Sequence, residues 1–167
     1  MISVCLYLQI HHPIQLRGDY DFFKIGSDHQ YEDLLKTEKM VKDLAEKCYI
    51  PLFRQLKEMI SSHKEKFKIS LSISGIALEN LKAYSPEVID MVKDLLNTSC
   101  IEIIGETYYH SLACKYSEKE FVEQIKLHRN AMKEVFDVKT TTFRNTEMIY
   151  DNTVAPLLEN LGFNTIL

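Results

Sequence analysis

The run Ile2-Ser3-Val4-Cys5-Leu6-Tyr7-Leu8-Gln9-Ile10-His11-His12-Pro13 decides how the rest of the chain is read. Ile2 to Ile10 is a β-branched, near-continuous apolar stretch, the pattern of a strand covered on both faces as in a parallel sheet. Pro13 has no N–H to give to a ladder and ends it. The run has no positive segment ahead of it and no small-residue cleavage site, and it is too short to span a bilayer. It therefore reads as an interior strand of a cytoplasmic protein, with no membrane partner expected.

Outward from this strand, apolar spacing alternates between two periods. Ile14 to about Lys36 is a polar stretch with interleaved aromatics, and a connection of that length is often functional. Thr37 can cap a helix with Val41, Leu44, Ala45 and Cys48 on one face, and Pro51 permits a fresh helical start carrying Leu52, Leu56, Met59 and Ile60. Phe67 to Ser74 alternates as a second strand and ends at Gly75. Ser85-Pro86-Glu87 opens a helix that buries Val88, Met91, Val92 and Leu95. Cys100 to Ile104 is a third strand. Ser117 and Glu120 make a capping-box pattern ahead of a helix carrying Phe121, Ile125, His128 and Met132, with His128 a core or boundary residue. Thr140 to Arg144 is a fourth strand, a helix covers about Asn152 to Leu161, and Phe163 to Leu167 begins a fifth strand.

The order β-α-β-α-β-α-β-α-β predicts an α/β fold with a parallel sheet and right-handed crossovers. A closed eight-stranded barrel takes roughly 250 residues, and this chain has 167. The sequence thus fits an open α/β domain or one domain, residues 1–167, forming the N-terminal part of a barrel that stops before closure.

Composition narrows the function classes. A formal net charge of -4, with no basic stripe, argues against nucleic acid as a partner. Lys64, Lys66 and Lys68 are interrupted by Glu65 and read as a solvated helix end. Cys5, Cys48 and Cys100 fall inside apolar patterns as small core residues, while Cys114 has no clear pattern. No two of the four form a C-x-x-C pair.

Chemistry-bearing side chains recur where the strands end: His11 and His12 after the first, Glu79 past the second, Glu106 and His110 after the third, Arg144, Asn145 and Glu147 after the fourth. In parallel α/β folds the carboxyl ends of strands form the active-site rim. Each residue also has a plainer reading. The two histidines could cap a strand end, Glu79 could be a dipole-favoured acid in a first helical turn, and Glu106 could be a loop acid among Tyr108 and Tyr109. An acid among aromatic rings also suits a sugar site. Glu147 is the leading catalytic candidate, because Arg144 and Asn145 would place a cation and an amide beside it and keep it ionised, as a nucleophile requires. The histidines and acids could instead bind zinc, although no compact H-x-x-x-H or H-E-x-x-H pair is present. No metal or cofactor is expected.

Four stretches together resemble glycoside hydrolase family 57, nearest its α-amylase-like branch. They are His11-His12-Pro13, where the family has His-Gln-Pro; Ser72 to Glu79; Glu106-Thr107-Tyr108-Tyr109-His110-Ser111-Leu112; and Phe143 to Tyr150. The resemblance implies a (β/α)7 barrel and retaining hydrolysis of α-glucosidic bonds. It makes Glu147 the nucleophile and His11, His12, Glu79, Glu106, His110, Arg144 and Asn145 substrate-contacting residues. The family's acid/base aspartate belongs to a fourth motif, to which no position here matches. An α-glucan is the implied partner, with a separately supplied remainder of the barrel or self-association through the open fifth strand as further partners. The isolated chain is expected to be inactive and marginally stable. The other readings are a metal-dependent carbohydrate deacetylase and a non-catalytic glucan-binding remnant.

Overall fold

The computed structural model describes residues 4–63 and 66–167. The expected strand start at Ile2, and Lys64 and Glu65 of the lysine cluster, lie outside them. The elements run β1 (Leu6–Ile10), α1 (Leu34–Leu44), α2 (Ile50–His63), β2 (Ile69–Ile73), α3 (Gly75–Tyr84), α4 (Pro86–Leu96), β3 (Ile101–Ile103), α5 (Glu118–Phe136), β4 (Thr142–Phe143), α6 (Val154–Asn160) and β5 (Thr165–Ile166).

The strands pair in chain order and all in parallel. Leu8 of β1 faces Leu71 of β2, Leu71 faces Ile103 of β3, and Phe143 of β4 faces Ile166 of β5. Gly105 joins the two groups: its N–H donates to the Thr142 carbonyl at 2.8 Å, and its own carbonyl accepts from Arg144 N–H at 2.9 Å. With neighbours in space also neighbours in sequence, crossovers of one hand lay their helices on one side of the sheet. That is the wall of a parallel α/β barrel, not a doubly wound sheet.

Side-chain alternation sorts each strand into two faces. Ile10, Ile69, Leu71, Ile73, Ile101 and Ile103 pack toward the helices, in a core with Val41, Phe53, Leu78, Leu81, Val88 and Val92. A second cluster joins Phe121, Ile125, Phe143, Val154, Leu158 and Phe163. Phe143 is its centre, edge-on to Phe121 and to Phe163 at 5.9 and 5.1 Å between ring centroids. α5 spans both, with Met132 and Phe136 in the first cluster and Phe121 and Ile125 in the second. His128, buried on the same helix, donates from Nε2 to the Ile73 carbonyl at 2.9 Å.

Several local expectations are corrected. Asp33, not Thr37, caps α1 by accepting from Lys36 N–H at 2.9 Å. Thr37 is buried in the first turn, where its hydroxyl accepts from Gln15 N–H at 2.9 Å and ties the preceding loop to the helix. Pro51 does not begin a separate helix. α1 and α2 run on through a π-helical turn at Ala45–Tyr49, in which Ile50 N–H reaches back to the Ala45 carbonyl. The wider turn accommodates a residue that has no N–H and whose ring would crowd the carbonyl four residues earlier. Cys5 and Cys48 are exposed; only Cys100 among the three expected core cysteines is buried. The long connection after β1 is closed on itself by a Leu16–Glu32 antiparallel bridge.

Gly75 opens α3 behind its cap Ser74, which accepts from Ala77 N–H. A Cβ on Gly75 would stand 2.2 Å from the Tyr108 ring. The glycine thus lets the loop after β3 lie directly on α3. Gly75→Ala should lower the unfolding free energy by about 1–3 kcal/mol through overpacking. Urea titration reads this, and loss of no more than a few tenths would show that Tyr108 can move away freely.

Candidate active site

The inward faces of the strands converge on a hydrogen-bonded network at their carboxyl ends. Tyr7 and Gln9 of β1 and His11 after it point one way; Ser72 of β2 and Ser74 just past it meet them. Tyr7 and Ser72 hydroxyls lie 2.6 Å apart, and His11 Nδ1 lies 2.8 Å from Ser74 Oγ. Arg144, just past β4, donates from Nη1 to Gln9 Oε1 at 3.2 Å and lies over the Tyr7 ring. Burial pushes the Tyr7 phenol above its ordinary value, opposed by the Ser72 bond and the Arg144 charge.

Gln9 has a defined polarity. Its oxygen faces a donor-only guanidinium, so its amide nitrogen turns to Glu106, which can only accept when ionised. Gln9 Nε2 lies 3.5 Å from Glu106 Oε2 and 3.1 Å from His110 Nδ1. Glu106 is 1% exposed. Its Oε2 is 3.0 Å from His110 Nδ1, and its Oε1 is buried without a hydrogen-bond partner. The His110 ring stacks on His11 with centroids 4.3 Å apart. Desolvation, then the neighbouring His110 charge, holds His11 below the ordinary histidine value.

Glu147 stands at the open side of this network. Its side chain is 73% exposed, and its Oε1 lies 3.6 Å from His110 Nε2. Its backbone is left-handed, φ 54° and ψ 23°, and Met148 follows with φ 55°. Two successive non-glycine residues in this region are costly, and such conformations persist where surrounding structure enforces them. Here Asn145 does so: its Oδ1 accepts from Thr146 N–H at 3.0 Å and its Nδ2 donates to the Ile149 carbonyl at 2.8 Å and to Cys114 Sγ at 3.1 Å. Thr146 is fixed in turn by the Thr107 hydroxyl at 3.0 Å, which links the loops after β3 and β4.

The structure thus brings together His11, Glu106, His110, Arg144 and Glu147, and it places three other expected site residues elsewhere. His12 shares the outward parity of Ile10. It is 3% exposed, packs against Tyr49 and lies 3.4 Å from Asn80 Nδ2. Asn145 shares the outward parity of Phe143 and spends its amide on the turn. Glu79 lies in α3, exposed, and accepts from the Tyr108 hydroxyl. The expectation that Arg144 sits beside Glu147 is also corrected: the guanidinium turns inward to Gln9 and Tyr7, and the cation-capable neighbour of Glu147 is His110. Tyr7, Gln9, Ser72 and Ser74 were missed. The signal that finds them is the two-residue period of β1 and β2. Among the described residues, no group of three or more His, Cys, Asp or Glu side chains is arranged to hold a metal ion, and no helix is long and apolar enough to cross a membrane.

An exposed carboxylate on an enforced backbone is thus set at the rim of a parallel barrel wall, beside a buried carboxylate and two histidines. The chain belongs to glycosyl hydrolase family 57, whose profile matches residues 5–167. It is 36% identical over 159 residues to a Methanocaldococcus jannaschii protein provisionally named an alpha-amylase, covering 95% of this chain and 34% of that protein. The chain therefore spans about a third of that relative's length. In fold it is similar to a 4-alpha-glucanotransferase from Thermococcus litoralis, with a TM-score of 0.72 at 14% identity over 97% of this chain and 21% of the other. It is also similar to the alpha-amylase AmyC from Thermotoga maritima, with a TM-score of 0.66 at 14% identity over 97% of this chain and 38% of the other.

Two outcomes follow from the site's geometry. Burial holds His12 and His128 below the ordinary histidine value of 6.5. The unfolded chain then takes up these protons first, so the stability present above that value is lost as pH falls through it. Unfolding free energy should be flat near pH 7–8 and fall as pH drops below about 6.5, and His12→Gln should remove part of the slope. An unchanged slope in both His12→Gln and His128→Gln would refute this. Separately, Glu147→Gly should raise the unfolding free energy by about 0.5–1 kcal/mol by relieving the left-handed backbone. If Glu147→Gly instead destabilises the chain, no strain is held there.

Proposed function

We propose that the chain carries the nucleophile of a retaining, α-glucan-active glycosidase, and that Glu147 is that nucleophile. The observation that carries the reading is the placement of Glu147: an exposed carboxylate on a left-handed turn at the end of β4, facing an imidazole rooted in the buried network. Family membership supports glycosidic chemistry, and the names of the relatives support an α-glucan as the substrate class.

In the covalent step a Glu147 oxygen attacks the anomeric carbon. The bond from that carbon to the leaving sugar oxygen breaks, the oxygen takes a proton from a general acid, and a glycosyl ester remains on Glu147. His11 and His110 line the sugar side, with Glu106 and Arg144 beneath them. Retention needs a second carboxyl about 5–5.5 Å from the nucleophile. The reading assigns it to the family's fourth-motif aspartate, which residues 1–167 do not contain. On this reading residues 1–167 are the N-terminal portion of a cytoplasmic catalytic barrel. By themselves, without the acid/base carboxyl, they leave natural glucans uncleaved.

The test separates nucleophile from acid. A 5-fluoro-α-D-glucosyl fluoride loses fluoride without needing a proton, so the chain should form a covalent adduct on Glu147, mapped by peptide mass spectrometry. Glu147→Gln should form none, and amylose should remain uncut by both. A wild-type chain left unlabelled, or labelled equally in the variant, sinks the proposal.

A further inference from the structure

Among the described residues, His110 is the only hydrogen-bond or ion-pair partner of the Glu147 carboxylate. That side chain has three rotatable bonds and is 73% exposed, so left alone it would sample many orientations. His110, by contrast, is fixed on every side. Nδ1 lies 3.0 Å from the buried Glu106 carboxyl, the ring stacks on His11, and the backbone is left-handed at φ 53°. The Gln9 amide, oriented by Arg144, donates to Glu106 from the β1 side.

We propose that His110, with an N–H on both ring nitrogens between two acceptor-only carboxylates, is a positioning residue for the nucleophile: Nδ1 donates to Glu106, Nε2 donates to Glu147 Oε1, and Oε2 is left free to face the anomeric carbon. The catalytic consequence rests on the reading of Glu147 as nucleophile; the coupling between the side chains does not. At 3.6 Å the contact is longer than a hydrogen bond. It shortens by rotation of the exposed Glu147 side chain once a sugar ring excludes water, as apo contacts of catalytic groups commonly do. Burial of the Glu106 carboxyl is what keeps the imidazole from turning. A charge in that position needs its donors, and rotating the ring would remove the best of them.

Two measurements on the full chain test this. The first is labelling by the 5-fluoro-α-D-glucosyl fluoride, resolved into a maximal rate and a half-saturating concentration. Asparagine reproduces the position of Nδ1, and glutamine that of Nε2. His110→Asn should therefore slow the maximal rate about 10- to 100-fold, the scale of loss from misplacing a reacting group. His110→Gln should restore most of it, and half-saturation should change little. Equal rates in wild type and His110→Asn, or equal losses in both variants, overturn the proposal.

The second measurement is ring-15N histidine NMR, with the His110 signals assigned by their disappearance in His110→Gln. Glu147→Gln, an exposed change, should move the Nε2 resonance, and Glu106→Gln should move Nδ1. An Nε2 resonance indifferent to Glu147→Gln also overturns the proposal, whatever the labelling shows. If Nε2 responds but wild type takes no label, the positional coupling stands and the nucleophile reading falls.

Discussion

A carboxylate that is 1% exposed constrains everything around it. Glu106 is carried into the barrel wall by the inward parity of β3. Ionised there, it must be met by donors or by a nearby positive charge. His110 and Gln9 supply the donors, and Arg144 supplies the charge by way of Gln9. Satisfying one residue thus recruits side chains from β1, from the loop after β3 and from the end of β4. The remaining orphan oxygen of Glu106 shows how little slack is left: rotating any one donor away would leave a buried charge still more exposed to the low-dielectric interior.

The same strand parity explains how much was legible beforehand. The alternation of strands and helices is written plainly in the spacing of apolar residues, and so is the identity of most core positions: Val88, Val92, Leu95, Phe121, Ile125 and Met132 are all buried. That Glu106, His110 and Glu147 lie beyond strand ends also follows from this alternation. Adjacent residues were the difficulty. His11 and His12 look alike in sequence, yet the pleat sends one to the site and the other behind it. Arg144 and Asn145 divide in the same way. The near-continuous apolar run of β1 conceals Tyr7 and Gln9, whose polar ends are inside the wall. The π-helical turn before Pro51 had no sequence signal beyond the proline itself, since a helix start and a widened turn both tolerate a missing N–H.

Around this network the supports differ in kind from the site they hold. Asn145 uses its amide on a turn, Thr146 and Thr107 bond each other, and Gly75 clears room for Tyr108. None of these side chains faces Glu147, yet each fixes a loop that carries a residue that does. The left-handed backbone at Glu147 is the cost of this arrangement. A residue better suited to the turn would relax the fold and lose the carboxylate.

The bond from Arg144 to Gln9 joins positions 135 residues apart. Contacts of such separation form only after the intervening chain has been ordered, because closing long loops costs entropy before any bond offsets it. β1, β2 and β3 can pair while β4 is still unplaced, but Gln9 then has no guanidinium to orient its amide. The polar interior is thus a late event in folding, completed when the fourth strand docks. A newly made chain would pass through a stage with its first strands and their helices in place and the Gln9 amide still free to turn.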